Sequence, residues 1–248
     1  MNLSVITQYQ LRNVRLSLMI FSGIMLALVM LSAVLARIVP DTVSFSSMEA
    51  SAGIFAFVCA LNSFKENFGF ALQNGVTRKT LFRSTLIMAL CFSALLCALD
   101  QLLHLFTLLA SQGAGNMRWF RLTEALYDLR YASATQLQTI AESIVFTFAL
   151  YTALFMMGYM ITLAYYRMSR WLKLTVSIGV PALLVLVYPL VDQLLLQGRI
   201  SRALGQAISL ALGIQAQNIW IAVLSLTLLA VAMAALAWAL LRRAVIRS

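Results

Sequence analysis

Histidine occurs once in this chain of 248 residues, as His104, and cysteine three times, as Cys59, Cys91 and Cys97. There is no CxxC pair and no His/Cys cluster, so nothing in the sequence points to a metal site. The cysteines sit among aliphatic neighbours and read as small apolar packing residues. No Gly-x-Ser-x-Gly elbow accompanies His104 and no facing pair of carboxylates is visible, so the chain is not expected to be an enzyme. A phosphate-binding loop is missing as well. The nearest stretch is "GFALQNGVTRKT", residues 69–80, but Gly69 and Gly75 are one position too far apart and Val76 stands where the lysine belongs.

Charge is scarce too. Charged residues make up 10% of the chain, against about 25% in a soluble domain. Hydrophobic residues make up 62%, and the mean hydropathy is +0.91. No soluble core absorbs that much apolar side chain, so lipid has to be the solvent for much of the chain. The net charge of +10 does not imply nucleic acid. Its basic residues gather at the ends of apolar runs and form no stripe on a polar face, which is the pattern of membrane topology.

Six apolar stretches suit helical spans, at about 16–38, 49–64, 80–109, 142–165, 172–196 and 217–241. The first follows Arg12 and Arg15 and is longer than the ~7–15 residues of a signal-peptide core, so it reads as an uncleaved span. The expected fold is all-α: one polytopic membrane domain over 1–248, opened by a short interfacial helix at 1–15 whose arginines reach anionic headgroups. A cytoplasmic N-terminus places twelve of the eighteen Lys and Arg on the inner side and six on the outer, and six spans then return the C-terminus to the cytoplasm. Outside, "DTVSFSSM" reads as a plain connector. In "MRWFRLTEALYDLRY" the spacing of Trp119, Leu122, Leu126 and Leu129 predicts an amphipathic helix, as does "GRISRALGQAISLALGIQAQ" with its Gly205 and Gly213. Pairs of small residues four apart, Gly23/Ala27, Ala230/Ala234 and Ala235/Ala239, are candidates for close helix contact.

Polar residues near membrane depth are the other signal. Asp100, Gln101 and His104 share one stretch of the third span and form a candidate outer-leaflet polar site, either a proton or cation relay or a solvated cap. Asp192 and Gln193 take the same place in the fifth span. Pro181 and Pro189 interrupt that span and make a candidate hinge.

The segment "FKENFGFALQNGVTRKTLFR", residues 64–83, is the most polar interruption between apolar runs. Phe64, Phe68 and Leu72 fall on one helical face, and Asn74-Gly75 ends that helix with a left-handed residue. Thr77 can cap the next helix, whose first turn carries Arg78 and Lys79. Cations there oppose the helix dipole, so a further purpose is expected of them.

These residues resemble the cytoplasmic loop after the second span in permease subunits of bacterial type-2 ABC exporters of the small drug- and lantibiotic-export class. Phe64, Phe68, Ala71, Leu72, Asn74, Gly75, Arg78, Lys79, Thr80 and Phe82 carry the match. The resemblance implies a multi-pass protein of the bacterial inner (plasma) membrane that couples through segment 65–78 to a separate cytoplasmic ATPase. Phe64, Lys65, Glu66, Phe68, Leu72, Asn74, Gly75, Arg78 and Lys79 would carry that coupling, with the phenylalanine face in a groove of the partner. The same resemblance implies a second permease, as homo- or heterodimer, and alternating access for an amphiphilic peptide, drug or lipid. No cofactor binds this chain directly, since ATP and Mg stay on the partner, and nucleic acid is not among its partners. Two other classes stay open: a non-transport assembly or regulatory factor working with an ABC-like ATPase, and a membrane-embedded enzyme using Asp100 and His104.

Overall fold

The computed structural model describes residues 3–38, 43–46, 48–111, 117–131, 135–183, 185, 188–194 and 197–242. Those residues are almost wholly helical. The order is α1 (Leu3–Ile38), β1 (Val43–Ser46), α2 (Met48–Gln73), α3 (Arg78–Ser111), β2 (Met117–Phe120), α4 (Leu122–Leu126), α5 (Asp128–Tyr131), α6 (Gln136–Arg167), α7 (Arg170–Ala182), α8 (Tyr188–Leu194), α9 (Arg199–Ala211) and α10 (Ile219–Arg242). Four stretches, Leu3–Leu35, Arg78–Leu109, Gln136–Arg167 and Ile219–Arg242, are long and apolar enough to cross a membrane. This is a membrane protein.

Hydrogen bonds and ring contacts set the directions of the helices. Thr162 Oγ1 of α6 donates to the Leu61 carbonyl of α2 at 2.9 Å, and Gly53 faces Leu154, so α2 and α6 run parallel. Phe146, Ala149 and Ala153 of α6 bury with Ile219, Ala222, Leu226 and Ala230 of α10, which therefore runs with them. At one end of α1, Thr7 bonds Ser84 at 3.2 Å and Ser84 donates to Gln10 Oε1 at 2.9 Å. Further along, Met25 and Val29 pack on Leu103, so α1 and α3 run side by side in the same sense. They oppose the other three, since Phe82 of α3 meets Trp238 near the far end of α10. The bundle thus has a Gly75 end and an Asp100 end.

α2 and α6 approach each other closely. Ala52, Ala56 and Ala60 are fully buried, and a Cβ at Gly158 would stand 2.6 Å from the Phe57 carbonyl oxygen and 3.1 Å from Ala60 Cβ. Small residues let the two backbones nearly touch. Of the pairs expected to do this, Gly23 of α1 faces open space, since a Cβ there would meet nothing within 4 Å, while Ala230 of α10 buries against α6 and Ala234 packs on the core. Gly158→Val is expected to cost roughly 1–3 kcal/mol through overpacking, read as a lower unfolding temperature in detergent. Gly23→Val should leave that temperature unchanged.

Several expectations change or sharpen. α1 runs unbroken from Leu3 to Ile38, so no helix boundary separates an interfacial helix at 1–15 from the span at 16–38. No Gly or Pro interrupts the first 20 residues, and Ile6, Thr7 and Gln10 bury inside the bundle instead of lying on its surface. The stretch around Trp119 is not one amphipathic helix: Met117–Phe120 is a strand paired in parallel with Val43–Ser46 of the supposed plain connector. Beyond it, Thr123 and Tyr127 bury while Leu129 is 73% exposed, so Leu129 does not join a buried leucine face. Within residues 172–196, α7 ends at Ala182 and α8 begins at Tyr188, and Leu183 and Val185 between them have π-helical geometry. α7 buries no residue and leaves a cleft of about 400 Å³ against α6, between Met160, Ala164, Val176 and Val180. Residues 49–64 form the first part of the 26-residue α2, and the helix expected to end at Asn74-Gly75 continues it.

Candidate functional site

At the Gly75 end, the turn forms as its residue types dictate. Gly75 has φ of +64°, Val76 N–H donates to the Ala71 carbonyl at 2.9 Å, and the Asn74 side chain donates to the Phe70 carbonyl at 2.8 Å. That is a Schellman ending, with the left-handed position given to glycine. Thr77 then caps α3 by accepting the Thr80 N–H at 3.2 Å. Asn74, Gly75, Arg78 and Lys79 are exposed. Arg78 donates to the Arg242 carbonyl at 2.6 Å, so this cation sits on the negative C-terminal end of α10. Its unfavourable place at the start of α3 is offset by a favourable one at the end of another helix.

The phenylalanine face points inward. Phe64 is fully buried and Phe68 is 3% exposed. Phe64 stacks on Phe68 with centroids 5.1 Å apart, and both meet the ring of Tyr166 edge-on at 5.5 and 5.4 Å. Tyr159 closes the cluster at 5.6 Å from Phe64. These rings already have their groove, formed by α6 of the same chain. The expected fit of the phenylalanines into a partner's groove is therefore corrected. The side chains of Lys65, Glu66 and Leu72 lie outside the described residues.

At the Asp100 end, the structure gathers groups far apart in the sequence. Asp100 is 7% exposed, and one of its carboxylate oxygens accepts the Tyr151 hydroxyl from α6. Its other oxygen, Oδ1, has no partner among the described residues. Arg121, just after β2, is 5% exposed and donates to Gln101 Oε1 at 3.0 Å. Glu49 of α2, Glu124 of α4 and Asp100 all bear electrostatically on that guanidinium. Burial lowers the basicity of Arg121, and the three carboxylates offset part of that shift. Glu124 also accepts the Arg121 backbone N–H at 3.1 Å.

His104 and Phe120 separate two spaces. One is a buried chamber of about 20 Å³, bordered by Glu49, Asp100 and Thr107, with room for a water molecule. The other is an open cleft of about 530 Å³ walled by Arg121, Glu124, Asp128 and Tyr131. The structure thus brings Asp100, Gln101 and His104 to one place, but among the described residues Asp100 and His104 share no hydrogen bond. Asp100's partner is Tyr151, a residue sequence reasoning missed because an aromatic in an apolar run looks like ordinary packing. No grouping of three or more His, Cys, Asp and Glu suited to a metal occurs among the described residues.

Two clasps tie the segments at this end together. Arg130 grips Glu142 of α6 with both arms, Nε to Oε2 at 2.9 Å and Nη2 to Oε1 at 2.7 Å, while Tyr131 and Gln138 also donate to that carboxylate. The ion pair holds the Arg130 guanidinium above its usual basicity. Tyr127 donates its hydroxyl to the Leu212 carbonyl at 2.5 Å, and burial raises its phenol to about 12. Asp192 has a structural part. It accepts the Ile200 and Ser201 N–H groups at 2.8 and 3.1 Å and so caps α9 from α8. α9 itself is the amphipathic helix expected before the last span, ended by Gly213 at φ +62°. Pro181 lies in the last turn of α7. Pro189 is the second residue of α8, where a missing N–H costs little.

Comparison of the chain with protein families, with curated proteins and with solved structures returned no match.

Proposed function

We propose that this chain is the membrane-spanning permease subunit of an ATP-driven ABC exporter of the bacterial inner membrane. One observation carries the reading: an exposed turn of Asn74, Gly75, Arg78 and Lys79 sits where one long apolar helix ends and the next begins. Its shape comes from the residues shared with the exporter loop, namely the Asn-Gly stop, the threonine cap and the following cations. With Phe64 and Phe68 turned inward, the docking surface is this turn alone. Six spans support the same reading if the first part of α2 and the α7–α8 pair cross the bilayer beside the four long apolar helices. Both termini then share the side that holds most of the Lys and Arg. ATP and Mg belong to a separate ATPase, a second permease copy or homologue completes the pathway, and the cargo is amphiphilic.

The test is co-expression with an ATPase encoded beside this chain, followed by affinity capture through the permease. Capture of the ATPase is expected, with at least a tenfold loss in the Arg78→Glu/Lys79→Glu double variant, because reversed rim charges repel what the cations attract. Unchanged capture in that variant removes the turn from the docking surface. Failure to capture any such ATPase overturns the exporter reading.

A further inference from the structure

Arg12 and Arg15 are exposed on α1, one turn apart, and among the described residues neither guanidinium has an ion pair or a hydrogen bond. Both line a groove of about 480 Å³ whose remaining walls are Leu11, Val14, Leu18, Phe92 and Leu95. That volume falls within the ~300–1,000 Å³ of clefts that hold small amphiphiles. The Thr7–Ser84 and Ser84–Gln10 bonds fix the register of α1 on α3. In that register the arginines stand beside the uncharged stretch of α3, residues 84–99. Phe92 lies roughly 13 Å along the helix beyond Arg83, the last cation before that stretch. Two unpaired cations next to an apolar wall are costly in lipid unless an anion meets them.

We infer that the α1–α3 groove is a binding site for an anionic phospholipid, with its phosphate held by Arg12 and Arg15 and an acyl chain lying along Leu18, Phe92 and Leu95. The chemistry of the groove matches that of the ligand: one charged end and one apolar channel. A zwitterionic lipid offers the same phosphate but brings its own cation, so it competes poorly for the arginine pair. The site does not depend on an ATPase partner, and it stands or falls separately from the exporter reading.

Native mass spectrometry of the detergent-purified full chain tests it, with phosphatidylglycerol and phosphatidylcholine added in parallel and inorganic phosphate as competitor. The expected result is retention of phosphatidylglycerol in preference to phosphatidylcholine, with no displacement by phosphate alone. Arg12→Gln/Arg15→Gln should weaken phosphatidylglycerol binding roughly 30-fold. Its unfolding temperature without lipid should not change, since both side chains are exposed. Leu95→Trp, which fills the channel and keeps both arginines, should weaken binding as well. Equal retention of the two lipids, displacement by inorganic phosphate, or unaltered binding in either variant overturns the assignment.

Discussion

Phe64→Ala is expected to be among the most destabilising single substitutions in the chain, lowering stability by about 3–5 kcal/mol, the usual loss for a buried aromatic. Its ring has no exposed surface and touches three others, those of Phe68, Tyr159 and Tyr166. Removing it costs burial, leaves a cavity and takes the edge contacts of both tyrosines with it. Because these rings join the end of α2 to α6, the loosened helix should also release the turn that follows it. Phe64→Leu should recover most of the loss, since it keeps an apolar body in the gap. Thermal unfolding in detergent is the measurement. If Phe64→Ala kept the wild-type unfolding temperature while losing a bound ATPase, the ring would belong to an interface and its place in the core would be wrong.

The second large effect is expected at Arg121. Arg121→Met keeps much of the side chain's volume but removes the positive charge that faces Glu49, Asp100 and Glu124. Glu49 and Asp100 are buried, and taking that charge away from them costs about 1–3 kcal/mol. Gln101 also loses the donor at 3.0 Å that orders its side chain. The deficit relative to wild type should shrink as pH falls, because a protonated carboxyl no longer needs a cation. Paired unfolding curves across an acidic-to-neutral series would show this. A deficit independent of pH would mean that Arg121 contributes packing alone.

What could be read from the sequence is what local chemistry determines. Asn74-Gly75 and Thr77 specify their turn within a few residues, and the observed bonds from Val76, Asn74 and Thr80 follow that specification. α9 was legible for the same reason, although Gly205 lies inside it and Gly213 stands just past its end. Long-range pairing was not. Val43–Ser46 and Met117–Phe120 form a parallel ladder between stretches far apart in the chain, and nothing within either one names the other. The leucines around Trp119 fit a helical period by spacing alone, while the local structure there is set by that ladder and by the burial of Arg121, Thr123 and Tyr127. The inward turn of Phe64 and Phe68 was equally hidden, since an apolar face does not say which neighbour covers it. The covering rings, Tyr159 and Tyr166, belong to α6, far down the chain.

Arg78 turns two separate helix ends into one mechanical part. Its guanidinium rests on the carbonyl of Arg242, so the beginning of α3 and the finish of α10 are latched together at the Gly75 end. The latch is a single exposed hydrogen bond from a long side chain, worth about 1 kcal/mol, so thermal motion can break and remake it. It joins two packed pairs, α1 with α3 and α6 with α10, at a single point beside the contact of Phe82 with Trp238.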